Sequence, residues 1–205
     1  MAAIKNIILD FGDVLINLDK PATAKAMIEY GFQEITPSLD ALFKDYEKGL
    51  IGSSGFLDEV ALHFPKANRD YLVKAWNAIL LDFPEHRLQF LEKLAKEKEY
   101  QLFLLSNTND LHIECVKQQM GVERFNRFKN AFDVFYLSYE MGMRKPDAEI
   151  FEFVLDENRL IAEETFFVDD VPENTNAAAQ LGIQVWNLQV GQEDITQLKS
   201  RLHHA

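Results

Sequence analysis

Five runs of aliphatic and aromatic residues, each of strand length, recur along the chain. They are Ile4 to Leu9, Gln101 to Leu105, Val134 to Leu137, Thr165 to Val168 and Ile183 to Leu188. They are largely continuous rather than alternating, which is the pattern of parallel strands buried on both faces. Between them the apolar spacing changes to three and four. "EHRLQFLEKLAKEKE" sets Leu88, Leu91, Leu94 and Ala95 on one helical face. "DAEIFEFVLDENR" begins just after Pro146, a residue suited to a first helical turn. "NTNAAAQLG" closes on Gly182, a natural C-terminal cap. Strands alternating with helices predict an α/β fold with a doubly wound parallel sheet. Ligands of such sheets bind at the carboxyl ends of the strands, where the strand order reverses.

One interval breaks the alternation. Residues 17 to 85 separate the first two strands, far more than a crossover needs. The interval reads as helices, "PATAKAMIEYG", "LDALFKDYEKG", "SGFLDEVALHF" and "NRDYLVKAWNAILL", punctuated by "TPS", "GLIGSSG" and "PKAN". The expected organisation is a core of residues 1–16 and 86–205 with an all-helical cap, 17–85, inserted over the strand ends. Hinges are expected near Asn17 to Pro21 and near Asp82 to Glu85.

Composition narrows the partners. A net charge of −12 opposes nucleic acid and anionic membrane as ligands, since both require a basic footprint. Cys115 is the single cysteine, so no internal disulfide forms, and a half-buried inert thiol is expected. With no leader or spanning run read, the expectation is a cytoplasmic protein. Sixteen phenylalanines point to an aromatic core.

The polar strand ends carry the chemistry. They read Asp10-Phe11-Gly12-Asp13, Ser106-Asn107-Thr108-Asn109, Arg144-Lys145-Pro146-Asp147 and Asp169-Asp170. On one sheet rim they bring together a carboxylate, a hydroxyl, a lysine and an acidic pair. That set suits phosphoryl transfer from a small phosphorylated metabolite. Asp10 would attack phosphorus and carry an aspartyl-phosphate. Mg²⁺ held by Asp10, a main-chain carbonyl and Asp170 would neutralise the repulsion between carboxylate and phosphate. Lys145 would add a second positive charge, and Ser106 would bind an equatorial oxygen.

The ordered set, with a helical insert between its first two motifs, resembles the haloacid dehalogenase superfamily along the whole chain. "DFGDVL", "YEKG", "AWNAIL", "LLSNTNDLH", "MGMRKPD" and "FVDDVPENTNAA" are similar to its sugar-phosphate phosphatase branch, typified by α-D-glucose-1-phosphate phosphatase. The resemblance implies a Rossmann-like core and hydrolysis of a sugar phosphate. It implies Asp10 as nucleophile and metal ligand, the carbonyl of Gly12 and Asp170 as further ligands, and Asp169 as a ligand or a neighbour of one. It implies Ser106 and Asn107 as phosphate binders, Lys145 as charge stabiliser and Asn174 as an orienting residue.

Several positions stay open at this level. Gly12 stands where most phosphatases of the superfamily carry a second aspartate as general acid and base. Asp13 is one residue away, and reads first as a turn residue. Ser106 could be a helix N-cap and Lys145 a solvated side chain. A structural hydrogen bond is expected of His112 and of Asn109, and packing of Phe11. The resemblance implies Tyr46 to Gly49 as a substrate-facing turn. Trp76 and Asn77 are weaker candidates for substrate contact, with Trp76 expected in the core. Phe83 occupies a place where the branch implies a basic substrate-binding residue. Two other readings compete: a dehalogenase-type hydrolase in which Asp10 attacks carbon, and a non-catalytic binding protein on the same fold.

Overall fold

The structure, a computed structural model, describes residues 3–202. The strands are β1 (Asn6–Leu9), β2 (Gln101–Ser106), β3 (Val134–Leu137), β4 (Thr165–Asp169) and β5 (Gln184–Asn187). They form one parallel sheet in the order β3-β2-β1-β4-β5. The order reverses at β1, so β1 leads to β2 on one side and faces β4 on the other. β1 starts two residues later than the apolar run, and β5 is trimmed at both ends, having a partner on one side only.

The helices are α1 (Ala22–Met27), α2 (Pro37–Glu47), α3 (Ser53–His63), α4 (Arg69–Asn77), α5 (Glu85–Glu97), α6 (Asp110–Met120) and α7 (Val122–Lys129). After these come α8 (Ser138–Met141), α9 (Ala148–Asn158), α10 (Pro172–Gln180) and α11 (Leu198–Leu202). Among the described residues no helix is long and apolar enough to cross a membrane.

Alternate side chains of the strands serve opposite layers. Ile7, Leu9, Leu102 and Leu104 pack with Leu88, Leu91 and Phe128 on one face. Ile8, Phe103, Leu105 and Phe167 pack with Ile150, Phe151, Val154 and Ala178 on the other. Fully burying a side chain of this size contributes about 1.5–3 kcal/mol, and both faces are covered this way. The predicted face of α5 is the buried one, with Ala95 partly buried beside it.

α1 to α4 lie in the long interval and have their own core, built on Met27, Leu39, Tyr46, Phe56, Leu57 and Leu72. Thr36 caps α2 through the Leu39 amide, and Asn68 caps α4 through the Tyr71 amide. The fourth helix is shorter than the sequence pattern implies. It stops at Asn77, because residues 79–82 pair with the other connection instead. Asp19 N donates to Ile79 O, Leu81 N to Asn17 O and Asn17 N to Asp82 O. The two connections thus form a short antiparallel ribbon, bridged at Leu18 and Leu80.

Candidate active site

Asp10 follows directly on β1, where its amide donates to Val168 O of β4 at 2.9 Å. Asp169 ends β4 and is fully buried. Lys145 reaches between them. Its Nζ lies 2.7 Å from Asp10 Oδ1, 2.7 Å from Asp169 Oδ2 and 2.8 Å from Leu105 O. An ammonium has three protons, and all three are used. Lys145 is only 1% exposed, so the solvated-lysine reading is wrong.

Asp169 also accepts from the Val171 amide at 2.8 Å and from Asn174 Nδ2 at 3.0–3.1 Å. Asn174 therefore orients Asp169. Asn107 braces Lys145: its Nδ2 donates to the Lys145 carbonyl at 2.8 Å, and its Oδ1 accepts the Lys145 amide at 2.9 Å. That side chain, expected to bind phosphate, is spent on positioning the lysine. Ser106 is buried, and its hydroxyl meets only Asn107 O at 3.5 Å, the outer limit of a hydrogen bond. It is not an N-cap: Asn109 caps α6, accepting the His112 amide at 3.0 Å.

Lys20 is a site residue that sequence reasoning missed. It arrives from the first connection, and its Nζ lies 2.6 Å from Asp170 Oδ2 and 3.0 Å from Asp13 Oδ2. A lone lysine in a polar connection gives no signal; only the chain path brings it to the rim. Asp13 otherwise acts as the turn residue expected, with φ 53° and Oδ1 accepting the Leu18 amide at 3.0 Å. Gly12 has a close neighbour: a Cβ there would come within 2.8 Å of Leu18 Cδ1 and 3.9 Å of Asp10 Oδ2. The space a side chain at position 12 would need is held by Leu18.

Burial dominates the electrostatics. It pushes the Asp10 carboxyl up to about 7 against the pull of Lys145, with Asp169 adding to the rise. Burial opposes the charge on Lys145, but Asp10 and Asp169 outweigh it and its pKa is raised. Burial likewise raises Asp170, against the opposing pull of Lys20. Four carboxylates, Asp10, Asp13, Asp169 and Asp170, face the two ammonium groups of Lys20 and Lys145. Asp10, Asp169 and Asp170 each offer an oxygen within 4.8 Å of the others. An all-oxygen donor set with two excess negative charges fits a hard divalent cation. The Gly12 carbonyl already accepts the Val14 amide at 2.6 Å and retains a second lone pair.

Asp10, Ser106 and Asp169 stand at the carboxyl ends of β1, β2 and β4, where the sheet order reverses, and Lys20 and Lys145 reach them from connecting segments. The haloacid dehalogenase-like hydrolase pattern matches residues 4–182. The chain belongs to this family. It is 28% identical, over 92% of its length and 93% of the relative's, to a D-ribitol-5-phosphate phosphatase of Bacteroides thetaiotaomicron. It resembles the crystal structure of the HAD family enzyme bt-2542 from the same organism, solved with magnesium and inorganic phosphate. The TM-score is 0.82 at 38% identity, covering 93% of this chain and 97% of that one. A shorter stretch of 52 residues is 48% identical to a sesquiterpene phosphatase of Aspergillus oryzae, spanning 25% of this chain and 26% of that protein.

In this haloacid dehalogenase-like hydrolase the "YEKG" turn at the end of α2 is fastened to the core. Tyr46 Oη donates to Asp110 Oδ1 at 2.6 Å, and Ser53 Oγ to Asp110 Oδ2 at 2.5 Å. Glu47 pairs with Arg144 at 2.9 Å, and Lys48 with Asp147 at 3.0 Å. Ser138 Oγ donates to Glu47 O at 2.6 Å while accepting the Thr108 amide at 2.9 Å. Gly49, at φ 67°, lies so close to Tyr139 O that a Cβ would meet it at 2.1 Å.

A second seam joins Trp76, Asn109 and His112. Asn109 Oδ1 accepts Trp76 Nε1 at 3.3 Å, and the rings of Trp76 and His112 stack at 5.2 Å. Phe83 is buried against Phe11 and Phe128 and does not reach the rim. Asn77, the weaker candidate beside Trp76, keeps a buried Oδ1 with no hydrogen-bond partner. Cys115 is half-buried, and burial raises its thiol pKa, as befits an inert residue.

Proposed function

We propose that this protein is a Mg²⁺-dependent hydrolase of a small phosphomonoester, acting through an aspartyl-phosphate on Asp10. The observation that carries the reading is the contact of Lys145 Nζ with both Asp10 and Asp169 inside an oxygen-only acidic cluster. The magnesium and phosphate bound by the bt-2542 structure, and the phosphatase relatives, support it.

Asp10, Asp170 and the Gly12 carbonyl would hold the cation, with Asp169 beside them. Once bound, it lowers the charge that a carboxylate meets on approaching a phosphate. Asp10 Oδ attacks phosphorus, and the ester P–O bond breaks. Water then attacks the phosphorus of the phosphoenzyme, the P–O bond to Asp10 breaks, and inorganic phosphate leaves. The alcohol takes up the proton that the attacking water supplies to the overall balance. Lys145 holds the carboxylate oriented and offsets charge on the transferring group. The Ser106 hydroxyl, barely committed, donates to an equatorial oxygen. With glycine at position 12, protonation of the leaving oxygen falls to solvent, substrate or a cap group.

The dehalogenase-type reading is weaker, because attack on carbon has no use for the Asp169-Asp170 pair. The non-catalytic reading leaves the buried Lys145 contacts without a purpose. The organic half of the ester is a sugar or polyol by the branch resemblance and the ribitol relative, or apolar by the lining of the cap. p-Nitrophenyl phosphate tests the chemistry. Phosphate release should require Mg²⁺, and Asp10→Asn should lower it by at least about 10³-fold. Metal-independent turnover, or turnover surviving Asp10→Asn, would sink this mechanism.

A further inference from the structure

A hollow of about 230 Å³ lies within the cap and against the rim. Its walls are apolar, with Met27, Phe43, Phe56, Leu57, Val60 and Trp76 among them. The hollow opens to solvent on one side and has the volume of about seven or eight waters at ~30 Å³ each. Lys20 belongs to its lining and at the same time holds Asp170 Oδ2 at 2.6 Å, so the hollow and the acidic cluster share a wall.

Five residues of the lining carry polar side-chain groups, and each makes a hydrogen bond or ion pair within the protein; Trp76 Nε1 donates to Asn109 Oδ1 at 3.3 Å. Lys20 holds Asp13 and Asp170. Thr23 Oγ1 donates to Trp76 O at 3.2 Å, and His112 Nε2 lies 3.2 Å from the same carbonyl. Glu47 is paired with Arg144 through Oε2. A polyol entering here would bury hydroxyls against aromatic rings with few partners to accept them, which is costly for every hydroxyl left unpaired. An aliphatic group would lose nothing.

We propose that the hollow takes the organic half of the substrate, and that this half is an alkyl or alkenyl chain of about six to eight carbons. The proposal rests on the phosphatase reading and names its substrate class: an apolar phosphomonoester with its phosphate at Asp10 and its tail among the cap aromatics.

The test uses two series on the full chain with Mg²⁺. Non-hydrolysable n-alkyl phosphonates are titrated by tryptophan fluorescence, since Trp76 lines the hollow. The matching alkyl phosphates, with D-ribitol 5-phosphate beside them, are assayed for phosphate release. Affinity should tighten about fourfold per methylene from two to six carbons, the value of a buried CH₂, and then level off. Ala24→Phe narrows the hollow from a half-exposed wall position and should move the levelling-off to shorter chains, costing hexyl phosphonate at least tenfold. Affinity independent of chain length, or ribitol phosphate as the better substrate, overturns the proposal. Phosphate release from all esters alike leaves the phosphatase reading standing and removes this one. Affinity that climbs with length while no ester is hydrolysed overturns the phosphatase reading and the substrate assignment with it, and leaves the hollow an apolar binding site only.

Discussion

The rim of the sheet and the hollow of the cap lie on either side of Lys20 and are built on opposite principles. At the rim, charged groups are buried, and almost every one has its partners fixed. Lys145 spends three protons on two carboxylates and a carbonyl, and Asp169 is held by Asn174 and the Val171 amide. In the cap, the surface offered to a ligand is aromatic and aliphatic, and its few polar groups are turned to other work. The rim is carried by strand ends whose register is set by the sheet. The hollow is carried by four short helices tied to the core by the Asn17–Asp82 ribbon and the Tyr46–Gly49 turn. Under the proposed function the reaction falls to the sheet and selection to the cap, and each half should fail in its own way.

The largest effect is expected where the rim is broken. Lys145→Met removes the cation between Asp10 and Asp169 and leaves two buried carboxylates facing each other. Removing one partner of a buried pair costs about 3–5 kcal/mol, so the urea midpoint should fall sharply. Turnover should drop by about 10²–10³-fold, the usual loss for a missing charge stabiliser. If the division of labour holds, ethyl and hexyl phosphate lose the same factor. A loss that grows with chain length would show that the two regions are not separable.

A smaller effect, with the opposite signature, is expected at the turn. Tyr46→Phe deletes the hydroxyl that donates to Asp110 and leaves Ser53 as the remaining side-chain donor to that carboxylate. Asp110 is exposed, so the hydrogen bond is worth about 1 kcal/mol rather than the upper range for charged partners. KM for hexyl phosphate should rise about fivefold at nearly constant kcat, with faster proteolysis between residues 47 and 55. An effect on kcat as large as that on KM would mean that the turn positions the rim as well.

Much of the rim was legible in sequence because it obeys a local rule. An apolar run ending in Asp, Ser-Asn or Asp-Asp marks a strand end, and a parallel sheet gathers strand ends. Lys145 was legible through its place before Pro146-Asp147, although its burial was not. Lys20, Leu18 and the role of Asn107 were not legible. Each depends on which distant segment comes alongside: the first connection for Lys20 and Leu18, and the Lys145 peptide for Asn107. The "YEKG" turn was visible but its ties to the core were not, since its partners Asp110, Ser138, Arg144 and Asp147 lie some 60 to 100 residues away. The hollow has no signature at all, because a stripe of Phe and Leu that lines a cavity is the same in sequence as one that fills a core.

The smallest expected effect concerns the second seam and depends on pH. Asn109 Oδ1 accepts both the His112 amide and Trp76 Nε1, which fixes its amide so that Nδ2 faces His112 Nδ1 at 3.2 Å. That ring nitrogen must therefore accept, and the proton sits on Nε2, directed at Trp76 O. A second proton would set two donors against each other in a poorly solvated seam. Burial accordingly lowers the His112 pKa from 6.5 to about 4, with the Trp76 carbonyl pulling weakly the other way. The sign follows: the unfolded chain binds a proton near pH 6.5 that the folded chain refuses until about pH 4. The stability this residue contributes is whole above pH 6.5 and is lost as pH falls through that window, by about 1–2 kcal/mol once partial exposure is allowed for. Measured from pH 7.5 to 4.5, the urea midpoint of the wild type should fall relative to that of His112→Gln, which can still accept from Asn109 but cannot charge. If the two profiles run in parallel, the seam between cap and core is indifferent to pH.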